Sequence, residues 1–188
     1  MQQYFILLHG LNMEGLSKRQ LLRLLQHAKA HSERDWLMML VHFWHGGRAS
    51  EVIHLTRENV QGMYLVFDRL KGSDPCQQEL VVHRNPLLSE RAPLIELALN
   101  TPYREPLFKM HRSTYFRHVQ RYALAIGVPS TSARTTVLKH TLGTLMIKNT
   151  PINNVQRRMG HKNISSTARY MRVCESDVDR VVKGSVRL

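Results

Sequence analysis

Apolar residues in this chain follow a helical period almost everywhere, and the one clear departure, between Met63 and Val82, decides the fold class. Met63-Tyr64-Leu65-Val66-Phe67 and Glu79-Leu80-Val81-Val82 are rich in β-branched and aromatic residues and flank the turn-forming cluster Lys71-Gly72-Ser73-Asp74-Pro75. The pattern predicts a β-hairpin with Lys71 at the start of its turn. Before it, Ser17-Lys18-Arg19-Gln20 reads as a capping box, and Leu21, Leu22, Leu24, Leu25 and Ala28 follow at helical spacing. A second helix runs from Arg34 to Trp44 and stops at Gly46-Gly47, where a positive φ costs little. Ser50–Leu55 reads as a short helix, and further helices are expected over 89–99, 111–126, 133–148, 152–159 and 164–171. The fold expected is mainly α with a small antiparallel hairpin.

At 188 residues, 43% of them hydrophobic, the chain can bury one sizeable core and is expected to form one main domain. No apolar run approaches the roughly 20 residues of a membrane span, and Tyr4-Phe5-Ile6-Leu7-Leu8 lacks the length and basic flank of a secretory segment. Cys76 and Cys174 lie far apart without a CxxC partner, so no zinc site or disulfide framework is expected, and the setting is read as reducing and cytoplasmic.

The net charge of +13 is unevenly placed. Residues 1–94 carry eleven Lys and Arg against nine Asp and Glu, whereas residues 95–188 carry sixteen against five. Between Pro106 and Cys174 there are twelve basic residues and no acid. A stretch that excludes acids in this way suits a polyanion, because each neutralised phosphate releases condensed counterions. The basic residues are spread over several elements rather than along one amphipathic helix, which favours nucleic acid over a membrane surface.

Within this frame five polar residues stand in distinctive contexts: Arg48 in Gly46-Gly47-Arg48-Ala49-Ser50-Glu51, Lys71 in Leu70-Lys71-Gly72, Lys139 in Leu138-Lys139-His140, His161 after Met159-Gly160, and Tyr170 nine residues later. Breaking a phosphodiester needs cations around the phosphate, a proton donor for the departing oxygen and a nucleophile. This set holds all three. Arg48 presents a fork of donors that matches two phosphate oxygens. Lys71 on a hairpin turn can donate a proton to the departing oxygen. A tyrosine can serve as a covalent nucleophile. Each residue also has a plainer reading: Arg48 as a salt bridge to Glu51, Lys71 as a solvated turn residue, His161 as a helix cap, and Tyr170 as core filling.

The Gly-x-Arg-x-Ser-Glu turn, the Lys-Gly hairpin, the basic helix, the Gly-His turn and the tyrosine beyond it together resemble the catalytic domain of the tyrosine recombinase (phage integrase) family. The likeness covers about Leu16 to Cys174. It implies DNA cleavage through a covalent 3′-phosphotyrosine, with Arg48, Lys71, Lys139, His161 and Tyr170 catalytic and no cofactor. It implies a supporting role for Glu51, orienting the Arg48 region. Residues 1–15 are expected to be an extension or linker remnant, residues 16–176 the catalytic domain and residues 177–188 a tail that docks on a neighbouring protomer. Double-stranded DNA is the partner implied, with four protomers assembled on it and a monomer or weak oligomer in its absence. Members of the family commonly carry a further helical clamp domain before this one. The segments around Arg48 and Lys71 are similar to short recombinases that invert fimbrial promoters, and a chain without the clamp is expected to bind DNA weakly alone.

The chain departs from the family in its second box, where His-x-x-Arg-His is usual and Thr136-Val137-Leu138-Lys139-His140 stands instead. Lysine keeps the charge but loses the planar two-pronged grip, and Thr136 cannot titrate as an imidazole does. His140 follows Lys139 by one residue, about 100° around a helix, and is expected to point away as buried support. Arg134 is a substitute donor if the helix begins late. DNA contacts are expected from Arg112, Arg117 and Arg121, with Tyr115 and Tyr122 interleaved, and from Arg157, Arg158, Lys162 and Arg169. Two other readings stay open: a protein of the same fold that binds DNA with impaired catalysis, and an unrelated basic helical protein that binds RNA.

Overall fold

The computed structural model describes residues 15–67 and 76–171. Lys71, its turn, the first fourteen residues and the tail from 172 onward lie outside the described residues, so the expectations placed on them are not addressed by the fold.

Eight α-helices and one small sheet are formed among the described residues. α1 (Lys18–His31) opens with the expected capping box, in which Ser17 Oγ accepts from Gln20 N and Gln20 Oε1 accepts from Ser17 N. Ser32 then closes α1 and opens α2 (Glu33–His45): its N–H donates to Ala28 O and its hydroxyl accepts from Asp35 N. One residue thus satisfies orphan backbone groups of two helices. α2 is the axis of the molecule, buried from Asp35 through Phe43 and packed against α1 and against α6 (Thr136–Ile147). Its two tryptophans anchor the segment that precedes α4 (Arg91–Leu99), Trp36 Nε1 donating to Leu87 O and Trp44 Nε1 to Leu88 O.

The sheet has order β1-β2-β3, all antiparallel: β1 (Val60–Gln61), β2 (Tyr64–Phe67) and β3 (Cys76–Glu79). Gly62, at φ 61°, makes the tight reversal between β1 and β2. Leu65 and Phe67 point into the core while Tyr64 stays exposed, the alternation of a half-buried strand.

The small antiparallel sheet is present as expected, with a third strand beside the hairpin, and one bound is corrected: the last strand lies at 76–79 rather than 79–82. The apolar run Leu80-Val81-Val82 suggested the later position, yet only Leu80 is buried, with its N–H on Met63 O. The chain then turns away, Val81 O accepts the N–H groups of Glu90 and Arg91, and Val82 is left exposed. The polar β3 is held instead by its ladder and by Gln78, which is buried against His45. The short helix α3 covers Ala49–Ile53. α5 covers Arg112–Ala125, α7 Ile152–Met159 and α8 Ser165–Ala168. α6 begins at Thr136, three residues after the expected Ala133, because Ala133 and Arg134 belong to a turn whose N–H groups bond Pro129 O and Ser132 O.

Candidate active site

Four separate stretches of chain meet at one cleft of about 750 Å³, whose walls include Arg48, Thr136, Lys139, His140, His161 and Tyr170. Arg112 and Arg169 also line it, and no acidic residue does among those described. A second hollow, of about 730 Å³, is walled by Trp36, Leu37, Pro93 and Leu97 and shares no residue with the first.

Arg48 is positioned by the end of α2. Gly46 terminates the helix at φ 56°, its N–H on His42 O, and a Cβ there would meet Met159 Sδ at 2.8 Å. Glycine suits both that φ and that approach. Arg48 then leads into α3, and the buried Glu51 holds it twice: Oε2 accepts from Arg48 N at 2.7 Å and Oε1 from Nη1 at 2.6 Å. The plainer reading of Arg48 as an ion pair is therefore present in the structure, and it coexists with a side chain 31% exposed on the cleft.

α6 contributes three groups from one face. Thr136 is exposed at its first turn. Lys139 is buried, and its Nζ donates to Met159 O at 2.9 Å, capping the end of α7. Gly160 follows at φ 61° and reverses the chain, so that the α7 terminus presents His161 to the cleft. His161 Nδ1 is within 2.9 Å of Thr167 Oγ1 on α8, and its ring lies 13° from parallel with that of Tyr170.

Tyr170 is 2% exposed. Burial pushes its phenol up to about 12, against a smaller opposing effect of the Arg169 cation. Its Oη lies 3.1 Å from His140 Nδ1. The expectation that His140 turns away from the site is thereby corrected. One residue from Lys139 is the wrong comparison; His140 is one full turn from Thr136, and residues four apart share a helix face.

His42 was not anticipated. It sits among the apolar residues of α2, lines the cleft, and has Nδ1 within 2.8 Å of the Tyr115 hydroxyl. Burial and the nearby Lys139 cation pull its pKa down to about 3, so it is neutral at physiological pH. A histidine inside an apolar helical stripe was the available signal, and nothing in its spacing tied it to the site.

The predicted DNA contacts separate into kinds. Arg112, Arg117 and Arg121 are exposed on α5, while Tyr115 and Tyr122 on the same helix are buried and serve the core. Arg157, Lys162 and Arg169 are exposed. Arg158 is turned into the fold, where Nε and Nη2 donate to Trp44 O at 2.9 and 2.6 Å. Arg134 is exposed and does not line the cleft.

A mainly helical domain with a small antiparallel sheet and, just after the last described helix, a tyrosine beside a basic cleft shares its fold with solved recombinase structures. Residues 14–176 match the model of the Phage integrase family, and the chain belongs to that family. A tyrosine recombinase of Pseudothermotoga lettingae is 30% identical over 154 residues, covering 78% of this chain and 52% of the relative. The chain thus spans about half the length of that protein. The crystal structure of XerA recombinase superposes with a TM-score of 0.72 at 18% identity, over 93% of this chain and 64% of that one. A lambda integrase tetramer bound to a Holliday junction gives a TM-score of 0.64 at 17% identity, over 84% and 47%. At these identities the solved structures speak for the fold.

Proposed function

We propose that residues 16–176 are the catalytic domain of a site-specific DNA recombinase that cuts and rejoins DNA, in the cytoplasm, through a 3′-phosphotyrosine at Tyr170. One observation carries the reading: Tyr170, the imidazoles of His42, His140 and His161, and the cations Arg48 and Lys139 converge on one cleft that no carboxylate lines among the described residues. In this reading Arg48 neutralises the scissile phosphate, Glu51 fixes its guanidinium, and Lys139 and His161 supply further donors to the charge that builds on the phosphoryl oxygens. The Tyr170 hydroxyl gives up its proton to a base at the cleft as its oxygen forms a bond to phosphorus, the bond to the 5′ oxygen breaks, and Lys71 donates a proton to that oxygen. One phosphoester replaces another, so the exchange is close to balanced and calls for no nucleotide. Rejoining is the same path reversed.

Duplex DNA is the partner, gripped by Arg112, Arg117, Arg121, Arg157, Lys162 and Arg169 through phosphate contacts that set register. By analogy with the lambda integrase tetramer on a Holliday junction, four protomers act together on DNA in this reading.

The test uses nicked duplexes drawn from the DNA on either side of the gene. The wild-type chain should form a covalent protein–DNA adduct that survives denaturation, and Tyr170→Phe should form none. No adduct with the wild type, or an adduct with the variant, overturns the reading.

A further inference from the structure

A tyrosine that attacks phosphorus must first lose a proton, and burial makes this one reluctant: its phenol sits at about 12. At neutral pH almost none of it is ionised in the resting chain, so a base in contact with Oη is needed. The group placed there is His140, with Nδ1 3.1 Å from Oη and the two rings tilted by 54°. The seat is rigid. Gly143, one turn further along α6, lies so close beneath the phenol ring that a Cβ would come within 2.5 Å of Cζ, and the His161 ring lies nearly parallel to the phenol ring.

Other candidates are less well placed. Thr136 carries a hydroxyl, which cannot hold a proton as an imidazole does. His161 engages Thr167 through Nδ1 and meets Tyr170 ring to ring. His42 has Nδ1 on Tyr115. Burial, then the Lys139 and Arg169 cations, hold the His140 pKa below the ordinary imidazole value, which weakens it as a base and leaves its lone pair available. It is therefore neutral at physiological pH, with a lone pair to offer.

We propose that His140 is a catalytic residue, the general base that takes the Tyr170 proton in the cleavage step and returns it on rejoining. The inference rests on the recombinase reading above and adds to it the group that activates the nucleophile. The Oη–H bond breaks and its proton passes to His140 Nδ1, with the ring's other proton on Nε2. The freed electron pair of Oη forms the bond to phosphorus. The bond from phosphorus to the 5′ oxygen breaks, and that oxygen is protonated by the general acid. On rejoining the 5′ hydroxyl attacks, the phenolate leaves, and His140 gives the proton back.

The experiment follows adduct formation in single turnover with the same nicked duplexes, comparing wild type with His140→Asn. Asparagine places an oxygen near the position of Nδ1, so it can accept the phenol's hydrogen bond but cannot take its proton. Adduct formation in the variant should fall on the order of 10²–10⁴-fold at neutral pH. It should then climb with rising pH as hydroxide replaces the base, while the wild-type profile is flatter. A variant indistinguishable from wild type overturns the inference and leaves the recombinase reading standing, whereas a wild-type chain without any adduct overturns both. A second measurement needs no DNA: nitrogen NMR should show His140 Nδ1 unprotonated at neutral pH and shifted by Tyr170→Phe. A protonated Nδ1 there, or a signal blind to Tyr170, also overturns the inference.

Discussion

Gly143 and Tyr170 are in contact so close that a side-chain carbon on the glycine would stand 2.5 Å from Cζ and 2.6 Å from Cε2 of the phenol ring. Helix propensity alone favours alanine over glycine at a helix interior by about 1 kcal/mol, so the glycine is retained against a local preference. Its absent side chain is the floor on which Tyr170 rests. Gly143→Ala is expected to eject the ring from its buried seat. The lost burial, roughly 1.5–3 kcal/mol for a large side chain, is partly offset by the propensity gain. Chemical denaturation should therefore show a net loss of about 0.5–2 kcal/mol, while covalent adduct formation falls on the order of 10² or more as the nucleophile is misplaced. A variant with full adduct yield would show that the phenol need not sit where the structure has it.

Arg157 and Arg158 are neighbours on α7 with different tasks. Arg157 is exposed, and Arg158 donates two hydrogen bonds to the Trp44 carbonyl near the end of α2. Arg157→Ala should leave the melting temperature unchanged and weaken duplex binding, lowering the salt dependence by about one phosphate contact. Arg158→Ala should cost roughly 1.5–3 kcal/mol of stability, the range for hydrogen bonds from a charged donor. The reverse pattern would exchange their roles.

The sequence made the helices legible because their caps and apolar stripes are local. Ser17 with Gln20 and Gly46 with Gly160 mark element ends through backbone geometry that needs no distant partner. The sheet was harder to place. β3 is polar, and what holds Gln78 inside is His45 on α2, whose Nδ1 it meets at 2.9 Å while the His45 Nε2 meets Glu90 Oε1 at 2.8 Å. Such a buried network has no period in the sequence. Arg48, His161 and Tyr170 were legible because each follows a turn or helix end, and Lys139 because it stands in a basic helix that completes the same motif. The contact of His140 with Tyr170 was not, since it depends on how α6 is rotated against α8, and that rotation is decided by packing at Gly143. His42 and Arg158 were missed or misassigned for a related reason: an imidazole in an apolar stripe and an arginine in a basic run look alike whether they face the solvent, the core or a cleft.

His42 supplies a pH dependence of known sign. Its pKa falls from 6.5 to about 3 in the folded chain, chiefly through burial. Below about pH 6.5 the unfolded chain binds a proton there that the native chain refuses, so stability falls as the pH drops. From pH 6.5 to about pH 5 this one group should cost about 2 kcal/mol. Urea unfolding across that range should show the loss, and His42→Asn should flatten it while lowering stability near neutrality through the lost Tyr115 contact. An unchanged slope in the variant would assign the acid sensitivity to other groups.

Lys139 joins the fold to the site, because the ammonium that lines the cleft also holds the last carbonyl of α7. Lys139→Met keeps the stem and removes the charge, leaving Met159 O to be satisfied by other means. Loss of a charged donor to a buried carbonyl is expected to cost roughly 1.5–3 kcal/mol. The turn at Gly160 should loosen with it, and His161 should lose its fixed approach to the cleft. Adduct formation is expected to drop on the order of 10²–10³, the scale for one well-placed donor to a developing oxyanion. Lys139→Arg separates the two contributions. A guanidinium restores the charge, yet its bulk must be fitted beside His42 and Met159, so cleavage should recover further than stability does. Measuring both quantities on the same two variants decides the point: if stability recovers fully in Lys139→Arg and cleavage does not, the lysine serves the helix end and the phosphate is held by Arg48 and its neighbours.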